Sequence, residues 1–582
     1  MWKLICLKLI EQGDHENLQK AMKVCHDTLK ADPRASDAYH FLAIIALKYA
    51  NTDHADIFIK EAISLNKTNP SYYNTKANIY FQKRQYEQAI SHYRLALDIS
   101  DGNEEYIINI LNTLEDNQKH KQICQEAEEF GVENLTQFQS LYIYGKALQL
   151  TGRYLDSNVF LRKAITSLEP IDKNKRRIAS AWQAIGYNLK ILGQPQEATA
   201  ALLHSIDTYD SINKAEDNYS LLKRPQVSEK PPVPEEYHLV CVLWGSQFFD
   251  YLVTDMLAVQ LAPKNAAAMA RVKIRFYFYS PQAQFDKFKD HPMMKRLGQF
   301  CHVENIDITD YQVEARPYLR FTSCHQRAFD MAEARNAAVI PIFPDTIISD
   351  GYLDYVIDTM NQGKRAILHY AARLLESSFR QAVIDLNLRQ ADGTLPLTPR
   401  QIVGLLRQHM HPITKSHFHD SKTVLGTGPY QMLWDAKDHG DFGYACRGFV
   451  LTPLCIYSQC NGTKVRPTYD MHYTWQCIED YDLVHIVTDS DFLFAIDPCP
   501  DDMFTDFYRI EDMDTDYGYL QSLFWIKLHS NPYHLKQFAT DIWVHDRDLP
   551  QDLSAFRAEI REKANLYLEP EAELARLRQQ YL

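Results

Sequence analysis

Residues Ala43–Ala62 read AIIALKYANTDHADIFIKEA, and the spacing of their small residues decides the fold of the first third of the chain. Ala43 recurs as Ala77, Leu111 and Gly145, 34 residues apart each time. Ala55 belongs to the series Ala21, Ala89, Ile123 and Ser157, and Ala62 to the series Thr28, Ala96, Phe130 and Ala164, with the same period. Five units run without a gap, and a sixth follows seven inserted residues, marked by Trp182, Gly186, Leu189, Ala198, Leu202 and Ser205. A fixed period of this length signals stacked repeats. Each unit is expected to be two antiparallel helices. Small residues let the helices approach, and a large one (Ile59, Tyr93, Leu161, Leu202) fills the space between. Turn signals separate helices at Lys83-Arg84-Gln85, Gly152-Arg153 and Gly193-Gln194-Pro195, while Pro33 and Pro70 mark unit ends.

The pattern resembles the tetratricopeptide repeat over residues 1–210, with a degenerate fourth unit where Ile123 and Phe130 replace small residues. The resemblance implies a right-handed superhelix whose concave face binds an extended peptide or a partner helix. Stacked repeats expose a long groove whatever their name. The rival expectation is that the array only props the second domain or makes the protein a homo-oligomer. The first helix begins almost at Met1 without a polar cap, which favours self-association.

Over its 582 residues the chain carries 75 acidic and 62 basic side chains, a formal net charge of −13. That balance disfavours non-specific nucleic-acid binding, which depends on Lys and Arg against phosphate. The eleven cysteines form no C-x-x-C pair. An odd count without a framework points to a reducing compartment. The lysine-broken start, Met1 to Lys8, lacks a signal-peptide core. No apolar stretch of ~18 residues is present to span a membrane. The expected location is the cytoplasm.

Residues 211–237 read as a linker, because the run Lys223 to Pro234 holds four prolines. Residues 238–582 then read as an α/β domain. Expected strands are Leu239–Trp244, Arg275–Tyr279, Val303–Ile308, Ala338–Phe343 and Arg365–Tyr370. Helical periods fall between them, over 246–260, 282–297 and 319–336. That alternation predicts a mostly parallel sheet, with ligands outside the carboxyl ends of its strands.

No G-x-G-x-x-G, P-loop, G-x-S-x-G or H-E-x-x-H motif occurs. An apolar strand ending in Trp244-Gly245-Ser246, and a later one ending in Pro344-Asp345 and continuing to Asp350-Gly351, resemble a nucleotide-sugar glycosyltransferase of the GT-A type. The resemblance covers residues 238–370. It implies nucleotide contacts from Trp244, Gly245, Ser246, Lys364 and Arg365. It also implies a divalent metal, Mn²⁺ or Mg²⁺, on Asp345 and Asp350, held by hard oxygen ligands. These aspartates are five apart rather than D-x-D, which departs from the family pattern.

A true D-x-D occurs at Asp489-Ser490-Asp491 after an apolar run. It reads either as a metal or acceptor-site pair or as an aspartate-capped turn. Among His409, His411, His417 and His419, His411 is the candidate phosphate ligand, and no zinc spacing appears. Arg320 and Arg327 share one helix face and are further candidates for a diphosphate. The acidic run 497–516 reads as a solvated loop. The expected catalytic groups are therefore Asp489, Asp491 and His411. The function expected is sugar transfer from a nucleotide sugar to an acceptor recruited by the repeats. The alternative is a non-catalytic adaptor with a degenerate α/β domain.

Overall fold

The computed structural model describes residues 2–582 except 13, 50, 213–232, 310–316, 426–429, 458–464, 466–468, 479, 504–508 and 511–514. The chain divides into two compact units, the first spanning residues 1–212.

The first unit is all helix: α1 (Trp2–Gln12), α2 (His15–Ala31), α3 (Ser36–Lys48), α4 (Thr52–Leu65), α5 (Pro70–Gln82), α6 (Tyr86–Ile99), α7 (Glu104–Asp116), α8 (His120–Phe130), α9 (Phe138–Leu150), α10 (Tyr154–Thr166), α11 (Asp172–Ile191) and α12 (Pro195–Asp210). Its helix starts repeat with the sequence. Asn69 and Asn103, one period apart, cap α5 and α7 by accepting backbone N–H bonds from Ser71 and Glu105. The small residues sit where helices cross. A Cβ placed on Gly145 would lie 3.0 Å from the Leu161 side chain, and one on Gly186 would lie 3.2 Å from the Ala198 carbonyl. The fourth pair keeps the pattern with Leu111 and Ile123 buried instead. Odd-numbered helices also pack on one another, α1 on α3, α3 on α5, α7 on α9 and α9 on α11. The stack therefore curves toward their side and forms a superhelix.

The second unit holds fifteen described strands. In chain order the first eight are β1 (Glu236–Val242), β2 (Ile274–Ser280), β3 (His302–Asp307), β4 (Ala337–Ile342), β5 (Ile347–Ile348), β6 (Ala366–His369), β7 (Ala371–Leu375) and β8 (Val424–Leu425). They continue as β9 (Gln431–Asp435), β10 (Gly443–Gly448), β11 (Thr452–Ile456), β12 (Val484–Ile486), β13 (Ala495–Cys499), β14 (Arg509–Ile510) and β15 (Ile542–His545). Seven form one sheet in the order β12-β6-β11-β4-β1-β2-β3, with only β11 antiparallel to its neighbours. Its inner strands are continuous apolar runs, β1 and β4 being buried at every residue, as a sheet covered on both faces requires. Two small sheets accompany it, β5-β13-β7 and β15-β10-β9, with a β14-β8 ladder.

Several local expectations change. β1 opens at Glu236, inside the stretch assigned to the linker, because Glu236 is buried against Lys273, Arg275 and His238. Much of the rest of that linker lies outside the described residues. The helix expected over 282–297 is two, Gln282–Phe288 and Pro292–Phe300, since Pro292 starts a new helix capped by His291. The helix after β1 carries a π-turn at Leu252–Met256. Cys477 is disulfide-bonded, and nine other cysteines among the described residues are free. No helix among the described residues is long and apolar enough to cross a membrane.

Candidate functional site

From β1 the sheet grows outward through β2 and β3, then resumes on the other side of β1 with β4. At such a reversal the loops leaving the two strands diverge and open a crevice at their carboxyl ends. A cleft of about 620 Å³ lies there. Pro341, Ile342 and Phe343 from the end of β4, His369 from the end of β6 and Thr452 from the start of the reversed β11 line it. Gln247, Phe248 and Tyr251 from the helix after β1 complete one wall.

Asp345 and Asp497 both line the cleft. The small sheet brings them together. β13 runs parallel to β7 with Asp497 in register with Arg373, and the hydroxyl of Thr346 donates to Asp497 Oδ1 at 2.6 Å. Burial, reinforced by the neighbouring Asp497, pushes Asp345 up to about 6. Burial likewise raises Asp497, against the lowering effect of Thr346 and Arg373. Two half-buried carboxyls near each other favour a shared proton or a cation. His369 is 4% exposed, and burial lowers it to about 4, so its ring is neutral near pH 7. Its Nδ1 lies 3.2 Å from the Tyr370 carbonyl and donates to it.

The expected metal partner of Asp345 is displaced. Asp350 instead accepts the backbone N–H groups of Lys264 and Asn265, at 3.3 and 3.0 Å, and so caps the helix Pro263–Met269. Its carboxylate is committed to a helix N-terminus and does not line the cleft. Lys364 and Arg365 also fail as diphosphate contacts. They precede β6 and so sit at the amino edge of the sheet, where Lys364 donates to the Asp482 carbonyl at 2.6 Å and buried Arg365 to the Tyr457 carbonyl at 3.3 Å. Trp244 and Gly245 follow β1 but are not lining residues. The Arg320 guanidinium lies 5.4 Å from the Trp244 ring, and the Gly245 N–H donates to Gln284 Oε1 at 3.0 Å. Gly245 has φ of +91°, which suits glycine at this turn. The side chain of Ser246 lies outside the described residues.

His411 is a capping residue rather than a phosphate ligand. Its Nδ1 accepts the Ile413 N–H at 3.1 Å. Burial holds it below its ordinary value. The neighbouring histidines do not converge on it: desolvation lowers His417 to about 4, while His419 stacks on Trp434.

Asp489 and Asp491 form a separate cluster with His545, their ligand atoms all within 4.8 Å of one another. His545 Nε2 is 2.9 Å from Asp489 Oδ1, and its Nδ1 is 2.7 Å from the Arg547 carbonyl. Both nitrogens thus face acceptors, which favours the doubly protonated ring. Burial lowers His545, but these bonds outweigh it and the net shift is upward. Arg400 grips Asp491 with two bonds of 2.9 and 2.7 Å. A cation here would have to displace both a proton and a guanidinium. The cluster thus has internal partners for its charges, and none of its members lines the cleft.

Sequence reading misses Asp497 and His369. It places Asp497 in an acidic loop, although Ala495-Ile496-Asp497-Pro498-Cys499 is largely apolar, as a strand would be. His369 lies in an expected strand with nothing local to distinguish it.

Residues 70–103, spanning α5 and α6, match the tetratricopeptide repeat family. No curated protein matches the chain. Among solved structures, pilF of Pseudomonas aeruginosa is 15% identical over 38% of this chain and 95% of its own, with a TM-score of 0.30. YrrB, described as a TPR protein with an unusual peptide-binding site, is 15% identical over 34% and 98%, with a TM-score of 0.27. PilW, a type IV pilus biogenesis factor, is 13% identical over 38% and 96%, with a TM-score of 0.29. With the 34-residue sequence period and the paired helices α1 to α12, the family match makes the helical unit of this chain a tetratricopeptide-type repeat region.

Proposed function

We propose that this chain is an interaction protein whose repeat array seats a protein or peptide along the face formed by its odd-numbered helices. The observation that carries the reading is the packing of odd-numbered helices on one another, α1 on α3, α3 on α5, α7 on α9 and α9 on α11, joined across α5 and α7 by the bond between Asn74 and Asn109. Asn109 donates to Asn74 at 2.9 Å and Gln139 to Asn112 at 3.2 Å across successive repeats. Amide side chains carry both donors and acceptors, as an extended peptide backbone requires. The test is crosslinking of the full chain to its partner, then measurement of that complex with Asn74→Ala, Asn109→Ala and Asn112→Ala combined. An affinity unchanged by the triple substitution would remove this face from the interaction.

A second reading is favoured by the half-buried pair Asp345 and Asp497 at the carboxyl edge of the sheet. In it, the second unit is a GT-A-like transferase that moves sugar from a nucleotide-sugar donor to an acceptor held by the repeats. The two carboxylates would hold Mn²⁺ or Mg²⁺ on the donor diphosphate. Sugar-nucleotide hydrolysis, measured with and without Mn²⁺ in wild type and Asp345→Ala, tests it. Equal background rates in all four arms would leave the adaptor reading alone.

A further inference from the structure

Two thiols meet in the first helix pair. Cys6 of α1 and Cys25 of α2 are fully buried, and their Sγ atoms lie 3.7 Å apart. No other two free thiols are in contact among the described residues. Cys25 stands, in the 34-residue period, where later units place Ile59, Tyr93 and Leu161, and Leu9 stands where they place Ala43, Ala77 and Gly145. The first unit thus inverts the exchange of large and small residues at the helix crossing. Its large side chain is on the first helix and its small one on the second. Cys6, one turn before Leu9, packs into the space that a larger residue fills elsewhere.

A disulfide, at about 2.05 Å, needs the two sulfurs to move together by roughly 1.7 Å. Access is the other requirement. While α1 is docked, burial excludes an oxidant and pushes both thiols up, so neither is a thiolate near pH 7. However, α1 is weakly held. Cys6 and Ile10 are its only buried side chains, whereas Leu4, Ile5 and Leu7 are exposed. A helix with so little apolar burial opens locally at small cost, and opening uncovers the thiol it carries.

We infer that Cys6 and Cys25 are a disulfide-forming pair, oxidised by a low-molecular-weight disulfide of the glutathione class, and that their bond staples α1 to α2. In the opened state the Cys6 thiol gives its proton to water and its thiolate attacks one sulfur of the oxidant. A mixed disulfide forms, and the oxidant's other half leaves as a thiolate. During redocking the Cys25 thiolate, its proton likewise lost to water, attacks the Cys6 sulfur and expels the second external thiolate. Both external thiolates are reprotonated. Two protein thiols and one external disulfide become one internal disulfide and two external thiols. The bond closes a loop across the α1–α2 turn and holds this end of the repeat array in its packed form. It depends on neither reading of the protein's function given above.

The test places the full chain in glutathione buffers poised from reduced to oxidised, then alkylates the remaining thiols and digests with trypsin without reduction. Cleavage after lysine frees residues 4–8 and 24–30 as separate peptides, so the bond appears as their linked mass. The linked form is expected to dominate in oxidised glutathione and to revert in reduced glutathione. In Cys25→Ala, which lacks the resolving thiol, Cys6 is expected to stop as a stable glutathione adduct. Amide hydrogen exchange of α1 in wild type is expected to slow by at least about tenfold on oxidation and to recover on reduction. That readout needs no variant and decides the matter if Cys25→Ala does not fold. Recovery of the two peptides only as separate alkylated or glutathionylated species, an unmodified Cys6 in folded Cys25→Ala, or α1 exchange indifferent to oxidation would each overturn the inference.

Discussion

The Thr346 hydroxyl donates to Asp497 Oδ1 at 2.6 Å, joining residues 151 positions apart in the chain. Thr346 lies in the turn after β4, and Asp497 on the short strand β13. Their bond fixes a carboxyl that adds to the burial raising Asp345, so part of the cleft's electrostatics depends on a contact between distant segments.

Asp345 gives the stability of the second unit a distinct pH dependence. Its folded value, raised to about 6 by burial and by Asp497, lies above its ordinary carboxylate value. The sign follows: its contribution is fully present below the ordinary value and is lost as pH rises from about 4 through about 6. Asp345→Asn mimics the protonated form at all pH. The variant should match wild type near pH 4 and exceed it by roughly 2–3 kcal/mol near pH 7.5, since a tenfold change in proton affinity corresponds to about 1.4 kcal/mol. Urea unfolding of both proteins across that range reads the difference, and parallel curves would show that Asp345 titrates normally.

His545 and Asp489 should titrate as a pair. His545 is held above its ordinary value, so its contribution disappears as pH rises through that raised value. Asp489 is held below its ordinary value, the bond from His545 outweighing its burial, so its contribution disappears as pH falls through that lowered value. The pair stabilises in the window between. An NMR titration of the His545 ring should give a midpoint above that of an exposed histidine, and Asp489→Asn should move it down. A midpoint that ignores the substitution would break the assignment.

Asp350 should behave as a helix cap. Asp350→Ala removes the acceptor for Lys264 and Asn265 and is expected to cost about 1 kcal/mol of stability. Ligand binding in the cleft should be unchanged, in contrast to Asp497→Ala. A specific loss of binding in Asp350→Ala, at intact stability, would return it to the site.

Gly145 tests close packing in the repeats. An alanine Cβ would meet Leu161 at 3.0 Å, so the neighbour must give way slightly. The helix-propensity gain of about 1 kcal/mol over glycine offsets that strain, and Gly145→Ala should be near neutral. Gly145→Val adds two methyl groups beyond the alanine Cβ in the same crossing and should cost about 2–3 kcal/mol. Thermal unfolding of the two variants discriminates, and equal Tm values would mean the crossing is looser than the Cβ distance implies.

Arg380 holds a buried charge. Its guanidinium meets Asp255 at 2.8 and 3.3 Å, and Asp255 is 4% exposed. Arg389 stands farther off, at 3.8 Å. Arg380→Ala leaves Asp255 mostly uncompensated and should destabilise by about 3 kcal/mol. The double variant with Asp255→Asn should recover much of that loss, as read by urea unfolding.

The repeat architecture is written in the sequence alone. Each helix pair is built from contacts within one period, so Ala43, Ala77 and Gly145 reveal their crossings by spacing. The apolar strands β1, β2 and β4 are legible for the same reason, since a strand covered on both faces must be continuously apolar. The cleft is legible only as a place, the carboxyl edge of those strands. Its lining is decided by tertiary structure. Asp345 and Asp350 look like a pair because they are near in sequence, but the turn between them sends one to the cleft and the other to a helix end. Asp497 and His369 reach the same cleft from strands far along the chain, through sheet pairings that local periodicity does not encode. Local spacing fixes which face of an element is buried, whereas which elements meet depends on long-range pairing, and the chemistry of this protein lies in those meetings.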